Sequence, residues 1–179
     1  QEALAPMTTA TNKATQDFIA RPRPRVLIQR ADLESLQARR EGGFLQRIFD
    51  NLVMEADQQL TFPYEYTPRG WHPVGLDAEW RAYVLEHVTS YRTSGDIQVY
   101  LPIHAFLFRL TEDKKYLSAA RDWLLGVCSW PFWGLQNALE RDYEAGWILQ
   151  AVSLAYDWLY SELNVDERAL IQTAMNRVA

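Results

Sequence analysis

The chain has 179 residues, of which 48% are hydrophobic and 13% aromatic, which is enough for the core of one domain and excludes an intrinsically disordered chain. Its 18 Lys and Arg residues against 23 Asp and Glu residues give a net charge of -5, which argues against nucleic acid as a partner. No apolar run approaches the roughly 18 residues that a membrane span needs. The three histidines and the one cysteine are too scattered to predict a metal site, and no cofactor is expected for this chain.

Residues 1–22 are predicted to form an N-terminal arm. The chain begins with Gln1 rather than Met, which we interpret as the start of a piece cut from a longer precursor. Residues 21–25 read Arg-Pro-Arg-Pro-Arg, here called the arginine–proline segment, and proline keeps such a segment extended. We interpret this segment as a solvated strap laid over a helical body, with a site for an anionic ligand as the alternative.

The next two elements are predicted helices. Asp32 is expected to open a short helix that carries Leu33 and Leu36. A second helix is indicated by an apolar stripe at helical spacing, which consists of Phe44, Leu45, Ile48, Phe49, Leu52, Val53 and Ala56. Residues 60–76 combine proline, glycine and four aromatic side chains, and this composition predicts a long loop that either binds a ligand or packs on the body.

Helical periodicity continues to the end of the sequence. Separate helices are predicted over residues 80–91 and 99–110, and Thr111 is expected to cap the helix that follows. A further helix is predicted over residues 147–159. Asn164, with Glu167 three positions later, has the pattern of a capping box for the last helix. Because no strand-like alternation competes with these patterns, the fold class is predicted to be all-α.

Two parts of the sequence have the same order of features. Residues 104–125 and 153–175 each read as the end of a helix, a short polar turn and a second helix, at an offset of about 50 residues. This offset exceeds the roughly 34 residues of a tetratricopeptide unit. The pattern favours tandem antiparallel helical hairpins, which are arranged in a solenoid or a toroid.

Three segments together resemble the heparinase II/III-like polysaccharide lyases. Residues 23–27 (Arg-Pro-Arg-Val-Leu), followed by Ala31, Asp32, Leu33 and Leu36, are similar to the start of the helical domain in that family, although Arg23 stands where relatives often have His. Residues 108–124 carry the second similar stretch. The third is Leu-Ala-Tyr-Asp-Trp-Leu-Tyr at residues 154–160, followed by Leu163, Glu167 and Arg168.

This resemblance implies that residues 23–179 are the N-terminal part of an (α/α) toroid, which is incomplete in this chain. The implied enzyme cleaves a uronic-acid polysaccharide, of glycosaminoglycan or alginate type, by β-elimination. Its partners would be that acidic polysaccharide, the rest of the toroid and a C-terminal β-sandwich region, and its location would be periplasmic or secreted. The family's catalytic side chains lie mostly downstream of the Tyr-Asp-Trp motif, so we expect none in this chain and place them after Ala179. The isolated chain is therefore expected to be inactive.

β-Elimination on a uronate needs a group that neutralises the carboxylate, a base for the C5 proton and an acid for the leaving oxygen. Residues that would hold the substrate are sought among aromatic, amide and arginine side chains, which stack on sugar rings and bind their polar groups. The candidates are His72, Trp133, Gln136, Asn137, Arg141 and Tyr143. The alternatives are a surface-loop role for His72 and a loop whose tryptophans, Trp130 and Trp133, close the end of the toroid.

His104 and Asp157 are interpreted as structural. His104 follows Tyr100 by one helical turn, but a core histidine is favoured over a Tyr-His catalytic pair, and Asp157 is expected to hold a neighbouring backbone or an arginine. Two other functions remain as alternatives. A toroid glycoside hydrolase would need facing carboxylates, and Glu140 with Asp142 or Glu144 is too local a group for that. A non-enzymatic helical carbohydrate-binding or scaffold domain is the stronger alternative.

Overall fold

The computed structural model describes residues 13–61, 78–130, 133 and 143–177, with the side chains of residues 78–93 and 143 left out of the description. Most of the described residues are helical and none of them lies in a strand, which confirms the all-α fold class. Residues 13–19 are helical, and a short 3-10 helix covers Tyr160–Glu162. The remaining helices are α1 (Arg30–Arg39), α2 (Gly43–Gln59), α3 (Ala78–Thr111), α4 (Lys114–Cys128), α5 (Tyr143–Trp158) and α6 (Val165–Asn176).

The long helix α3 is the central element of the described fold. It has 34 residues and packs against α1, α2, α4 and α5. The prediction of separate helices over residues 80–91 and 99–110 was wrong, because α3 continues through both. Between them lies Gly95, and a single glycine costs a helix only about 1 kcal/mol, which the packing of the buried Ile97 and Leu101 offsets.

Two helical hairpins lie side by side. Helices α3 and α4 form the first hairpin and α5 and α6 the second; α3 contacts α5, and α4 contacts α6. The first helices of the two hairpins therefore pack on each other, and so do the two second helices. The shared core includes the fully buried side chains of Leu101, Leu124, Val152, Leu159 and Ile171. This is the tandem arrangement that the repeated pattern predicted.

The helix starts depend on short-range hydrogen bonds. The capping box predicted for α6 is confirmed: the Asn164 side chain accepts from the Glu167 backbone N–H at 3.0 Å, and Glu167 accepts from the Asn164 backbone N–H at 2.9 Å. The cap predicted at Thr111 was wrong, because Thr111 ends α3 and its hydroxyl donates to the Leu107 carbonyl at 2.7 Å. Asp113 caps α4 instead and accepts from the Lys115 backbone N–H at 3.0 Å.

The first two helices differ from their predictions in detail. Helix α1 begins at Arg30 rather than Asp32, whose carboxylate accepts from the Gln29 backbone N–H at 2.8 Å. In α2, only part of the predicted stripe is buried. Phe49, Leu52, Val53 and Ala56 face the core, since they follow an i, i+3, i+4, i+7 spacing, whereas Phe44 is 68% exposed.

Within the residues that the structure describes, no helix combines the length and the apolar character that a membrane crossing requires.

Candidate functional site

Most of the predicted substrate-binding residues lie outside the described residues. His72, Gln136, Asn137 and Arg141 belong to this group, and Tyr143 begins α5 with a side chain that is not described. Their role in binding a saccharide stays a prediction.

Trp133 is the predicted binding residue that the structure places. Its ring is 5% exposed, and its indole Nε1 donates to the Val127 carbonyl at 2.9 Å. Trp130 is also buried, at 7% exposure, and both rings belong to the main core. Because a sugar stacks on an accessible ring face, this placement matches the packing alternative for the two tryptophans.

His104 belongs to the core, as interpreted from the sequence. It is 1% exposed and its ring stacks on Tyr116 of α4, with centroids 6.0 Å apart, whereas the Tyr100 ring packs on Trp123. Burial lowers the pKa of His104 to about 4, against the opposing effect of Asp57. The imidazole is therefore neutral at pH 7, and its Nδ1 has no hydrogen-bond partner within the described residues.

Asp57 joins α2 to this part of the core. Its carboxylate accepts from the Tyr116 hydroxyl at 2.8 Å and lies 2.7 Å from Lys115 Nζ. The hydrogen bond from Lys115 lowers the pKa of Asp57, while burial and the bond to Asp57 raise that of Tyr116. A protonated tyrosine and an ion-paired carboxylate do not serve as bases near neutral pH. We therefore interpret this cluster as a structural link between helices.

Asp157 of α5 holds the arginine–proline segment. Its carboxylate is 2% exposed and accepts from Arg23 Nη1 at 2.8 Å, from the Arg25 backbone N–H at 2.7 Å and from the Val26 backbone N–H at 2.9 Å. The Trp158 indole adds a bond to the Val26 carbonyl at 2.9 Å. A negative charge near the C-terminal end of a helix is disfavoured by the helix dipole, and these donors compensate for it. Asp157 thus holds both a backbone and an arginine, as interpreted from the sequence.

The segment is less solvated than a strap on the surface. Pro24 is buried, and the side chains of Arg23 and Arg25 are 23% and 13% exposed. Directly after the anchored backbone, Leu27 adopts a left-handed φ of 62°, which costs a non-glycine residue about 1 kcal/mol. The four hydrogen bonds of Asp157 and Trp158 hold the chain in this otherwise disfavoured path.

Aromatic rings position the arginine side chains. The guanidinium carbon of Arg23 lies 4.2 Å from the centroid of the Tyr160 ring, and that of Arg168 lies 4.0 Å from the same centroid. Arg25 lies over Phe18 at 5.0 Å and donates to the carbonyls of Phe18 and Ile19, which ties the helical residues 13–19 to the segment. Arg23 and Arg25 are therefore held in fixed orientations.

The arginine–proline segment lines two cavities of about 500 Å³ and 430 Å³. The two share Arg21, Arg23, Arg25, Arg109 and Ser161, and Trp158 and Tyr160 add an apolar wall to the larger one. Volumes of this size are typical of small-molecule sites, which span about 300–1,000 Å³. We name this region the arginine pocket.

Neither Arg109 nor Tyr160 was predicted as part of a site. Arg109 lies in the last turn of α3 and reaches the pocket because α3 packs along α5. The only local signal was the run of three arginines at residues 21–25, which raised an anionic ligand as an alternative. No short motif connects that run with a residue more than 80 positions away.

The described residues contain no group of three His, Cys, Asp or Glu side chains that could hold a metal ion. Cys128 is a free cysteine buried in the core, and burial raises the pKa of its thiol to about 12. A thiol with this pKa is a poor nucleophile, because the thiolate is the reactive form.

No protein-family model matches this chain, and no curated protein sequence matches it. The function is therefore inferred from the geometry above and from the resemblance in sequence.

Proposed function

We propose that this chain is the N-terminal helical part of an (α/α) toroid polysaccharide lyase that cleaves uronic-acid polysaccharide by β-elimination. The proposal includes a periplasmic or secreted location and acid-base residues outside this chain.

The observation that carries the proposal is the contact between two of the segments on which the family resemblance rests. Residues 23–27 and 154–160 are about 130 positions apart, yet Asp157 and Trp158 hold the backbone of Arg25 and Val26 by direct hydrogen bonds. Motif residues that meet in the fold form one structural unit, so their joint presence is better explained by a shared architecture than by chance similarity of two short stretches. The side-by-side packing of two hairpins supports the proposal, because arrays of helical pairs bury each pair against the next.

A non-enzymatic helical domain that binds an acidic carbohydrate is the second candidate. It is favoured by the chemistry of the described residues. Asp57 and Tyr116 are bonded to each other, His104 is buried and neutral, and Asp157 is saturated by donors. None of these groups is poised for proton transfer, whereas the arginine pocket has the charge for binding.

The experiment is an absorbance assay on the full-length protein that contains this chain. The protein is incubated with heparin-, chondroitin- and alginate-type polymers, and both ultraviolet absorbance and reducing ends are followed. β-Elimination creates an unsaturated uronate, so we expect absorbance and reducing ends to rise together on at least one polymer. Reducing ends without absorbance would indicate a hydrolase, and neither signal with retained polymer binding would indicate the non-enzymatic domain.

A further inference from the structure

The charge of the arginine pocket is opposite to that of the whole chain. The chain carries a net charge of -5, yet four arginines and one carboxylate, Asp157, are among the described residues that line the larger cavity. These formal charges sum to an excess of three positive charges. Asp157 is 2% exposed, pairs with Arg23 at 2.8 Å and lies 3.6 Å from Arg25 Nε, so its charge is shared by these two arginines and leaves Arg21 and Arg109 without a paired carboxylate among the described residues that line the cavity.

Arg109 is the least satisfied of these arginines. It makes no hydrogen bond or ion pair within the described part of the chain, and its Nε is buried without a partner. Burying part of a guanidinium without an acceptor costs free energy, because the group loses water and gains no bond in exchange. Glu162 follows the pocket residue Ser161, but its carboxylate pairs with Lys114 at 3.8 Å and does not line the pocket.

Arg23 and Arg25 would not need to be reorganised on binding. Arg23 is held by Asp157 and by the Tyr160 ring, and Arg25 by two backbone carbonyls. Arg21 is exposed at the rim. Guanidinium groups bind oxyanions such as carboxylate and sulfate with paired hydrogen bonds, and prior orientation reduces the entropy lost on binding.

We propose that the arginine pocket binds the carboxylate or sulfate group of an acidic oligosaccharide, with Arg109 as the main ligand and Arg21 and Arg23 at its sides. Trp158 and Tyr160 form an apolar wall of the pocket. Trp158 is 7% exposed, and Arg23 and Arg168 lie over the Tyr160 ring, so the saccharide is held through its oxyanion and not by stacking on these rings. The pocket is built from residues 21–25, the end of α3, and the end of α5 with the residues that follow it, and none of the predicted substrate-binding residues is among those that line it. Recognition of an oxyanion follows from the pocket itself, whereas the choice of a saccharide as its carrier rests on the proposed function.

The test uses isothermal titration calorimetry on the full-length protein with four probes. These are a sulfated and an unsulfated uronate tetrasaccharide, a neutral tetrasaccharide and inorganic sulfate. We expect the acidic tetrasaccharides to bind and the neutral one not to bind, and affinity to fall with salt as charges are screened. Binding of both acidic probes would assign the carboxylate, and binding of the sulfated probe alone the sulfate group.

Arg109→Gln is the decisive variant, and Arg47→Gln is its matched control. Arg47 is exposed on α2 and does not line the pocket, so the control makes the same change in net charge. We expect Arg109→Gln to weaken binding of the acidic tetrasaccharide by about tenfold or more, the effect of losing hydrogen bonds between charged groups, and Arg47→Gln to leave it unchanged. Arg21→Gln replaces the exposed rim arginine and gives the same test if Arg109→Gln fails to fold.

Equal affinity of the wild type and the pocket variants would overturn the proposal. So would inorganic sulfate that binds as tightly as the tetrasaccharide, because the pocket would then recognise a free ion only. The proposed binding role of the pocket and the proposed lyase activity can be rejected independently. If unsaturated uronate forms but all variants bind equally, only the binding role of the pocket is wrong. If binding depends on Arg109 but no unsaturated product forms, only the lyase activity is wrong.

Discussion

Asp157 shows how one side chain determines the path of a distant segment. It lies three residues before the start of the 3-10 helix and accepts hydrogen bonds from three N–H donors of residues 23–26. A buried carboxylate is stable only when its lone pairs are taken by donors, and here an arginine and two backbone amides provide them. The same bonds bring Arg23 to Tyr160 and thereby form one wall of the arginine pocket.

We predict that Asp157→Asn lowers the free energy of unfolding by about 3 kcal/mol, the range found when one partner of a buried ion pair is removed. The amide that replaces one oxygen would face Arg23 Nη1 or a backbone N–H, so at least one donor loses its acceptor. Urea unfolding measures the change. Asp122→Asn, at an exposed position of α4, is the control and should stay within about 0.5 kcal/mol of the wild type. Equal effects of the two substitutions would show that Asp157 does not anchor the segment.

His104 makes stability depend on pH. Its pKa is about 4 in the folded protein against an ordinary 6.5, so the unfolded chain binds a proton more readily between these values. The free energy of unfolding is therefore unaffected by His104 titration above pH 6.5. It decreases as the pH falls towards 4, by at most about 3 kcal/mol from this residue.

We predict that His104→Phe, which keeps an aromatic ring against Tyr116 but does not titrate, reduces the loss of stability between pH 7 and pH 4.5. The measurement is the urea midpoint of both proteins across this range. Carboxylates and the other histidines contribute to both curves, so the difference between the curves isolates His104. Parallel curves would contradict the buried, neutral imidazole.

Helix α6 combines a local cap with an ion pair to another helix. Glu167 accepts from the Asn164 backbone N–H and also pairs with Arg121 of α4. Burial raises the pKa of Glu167, but the backbone bond to Asn164 and the bonds to Arg121 outweigh it and lower the pKa overall. The capping box therefore orients the Glu167 carboxylate towards Arg121 on α4, the second helix of the neighbouring hairpin.

We predict that Asn164→Ala destabilises the protein by about 1 kcal/mol, because the Glu167 backbone N–H loses its acceptor at the start of α6. Thermal or urea unfolding monitored by circular dichroism checks this value. Asn176→Ala makes the same side-chain change at the exposed end of α6 and should have little effect. A loss of the same size in both variants would mean that the cap does not stabilise α6.

The two hairpins share a core that neither could bury alone. Leu124 of α4 and Ile171 of α6 are both fully buried, and α4 contacts both α3 and α6. This mutual burial accounts for most of the stability of short amphipathic helices, which are marginal in isolation. It also brings the end of α3 beside the end of α5, where Arg109 meets the arginine–proline segment.

The helical class, the repeated hairpins and the capping box at Asn164 could be predicted from the sequence. These features depend on periodicity and on hydrogen bonds between residues a few positions apart, so short windows of sequence contain them. The sequence predicted two helices where α3 is continuous. Gly95 weakens a helix locally, and the packing that offsets this cost comes from other helices, which a short window of sequence does not contain.

The arginine pocket and the burial of Trp133 could not be predicted from the sequence and are visible only in the folded chain. Asp157 was interpreted as an anchor from the sequence, but its partners lie more than 130 positions away, and Arg109 is brought in by helix packing. Long-range packing decides which aromatic rings are buried and which arginines remain unpaired. The residue type alone does not reveal this, because the same side chain can pack in a core or line a binding surface. The sequence therefore specified the residue types for binding an anion, and the packing of α3 on α5 decided which of them converge.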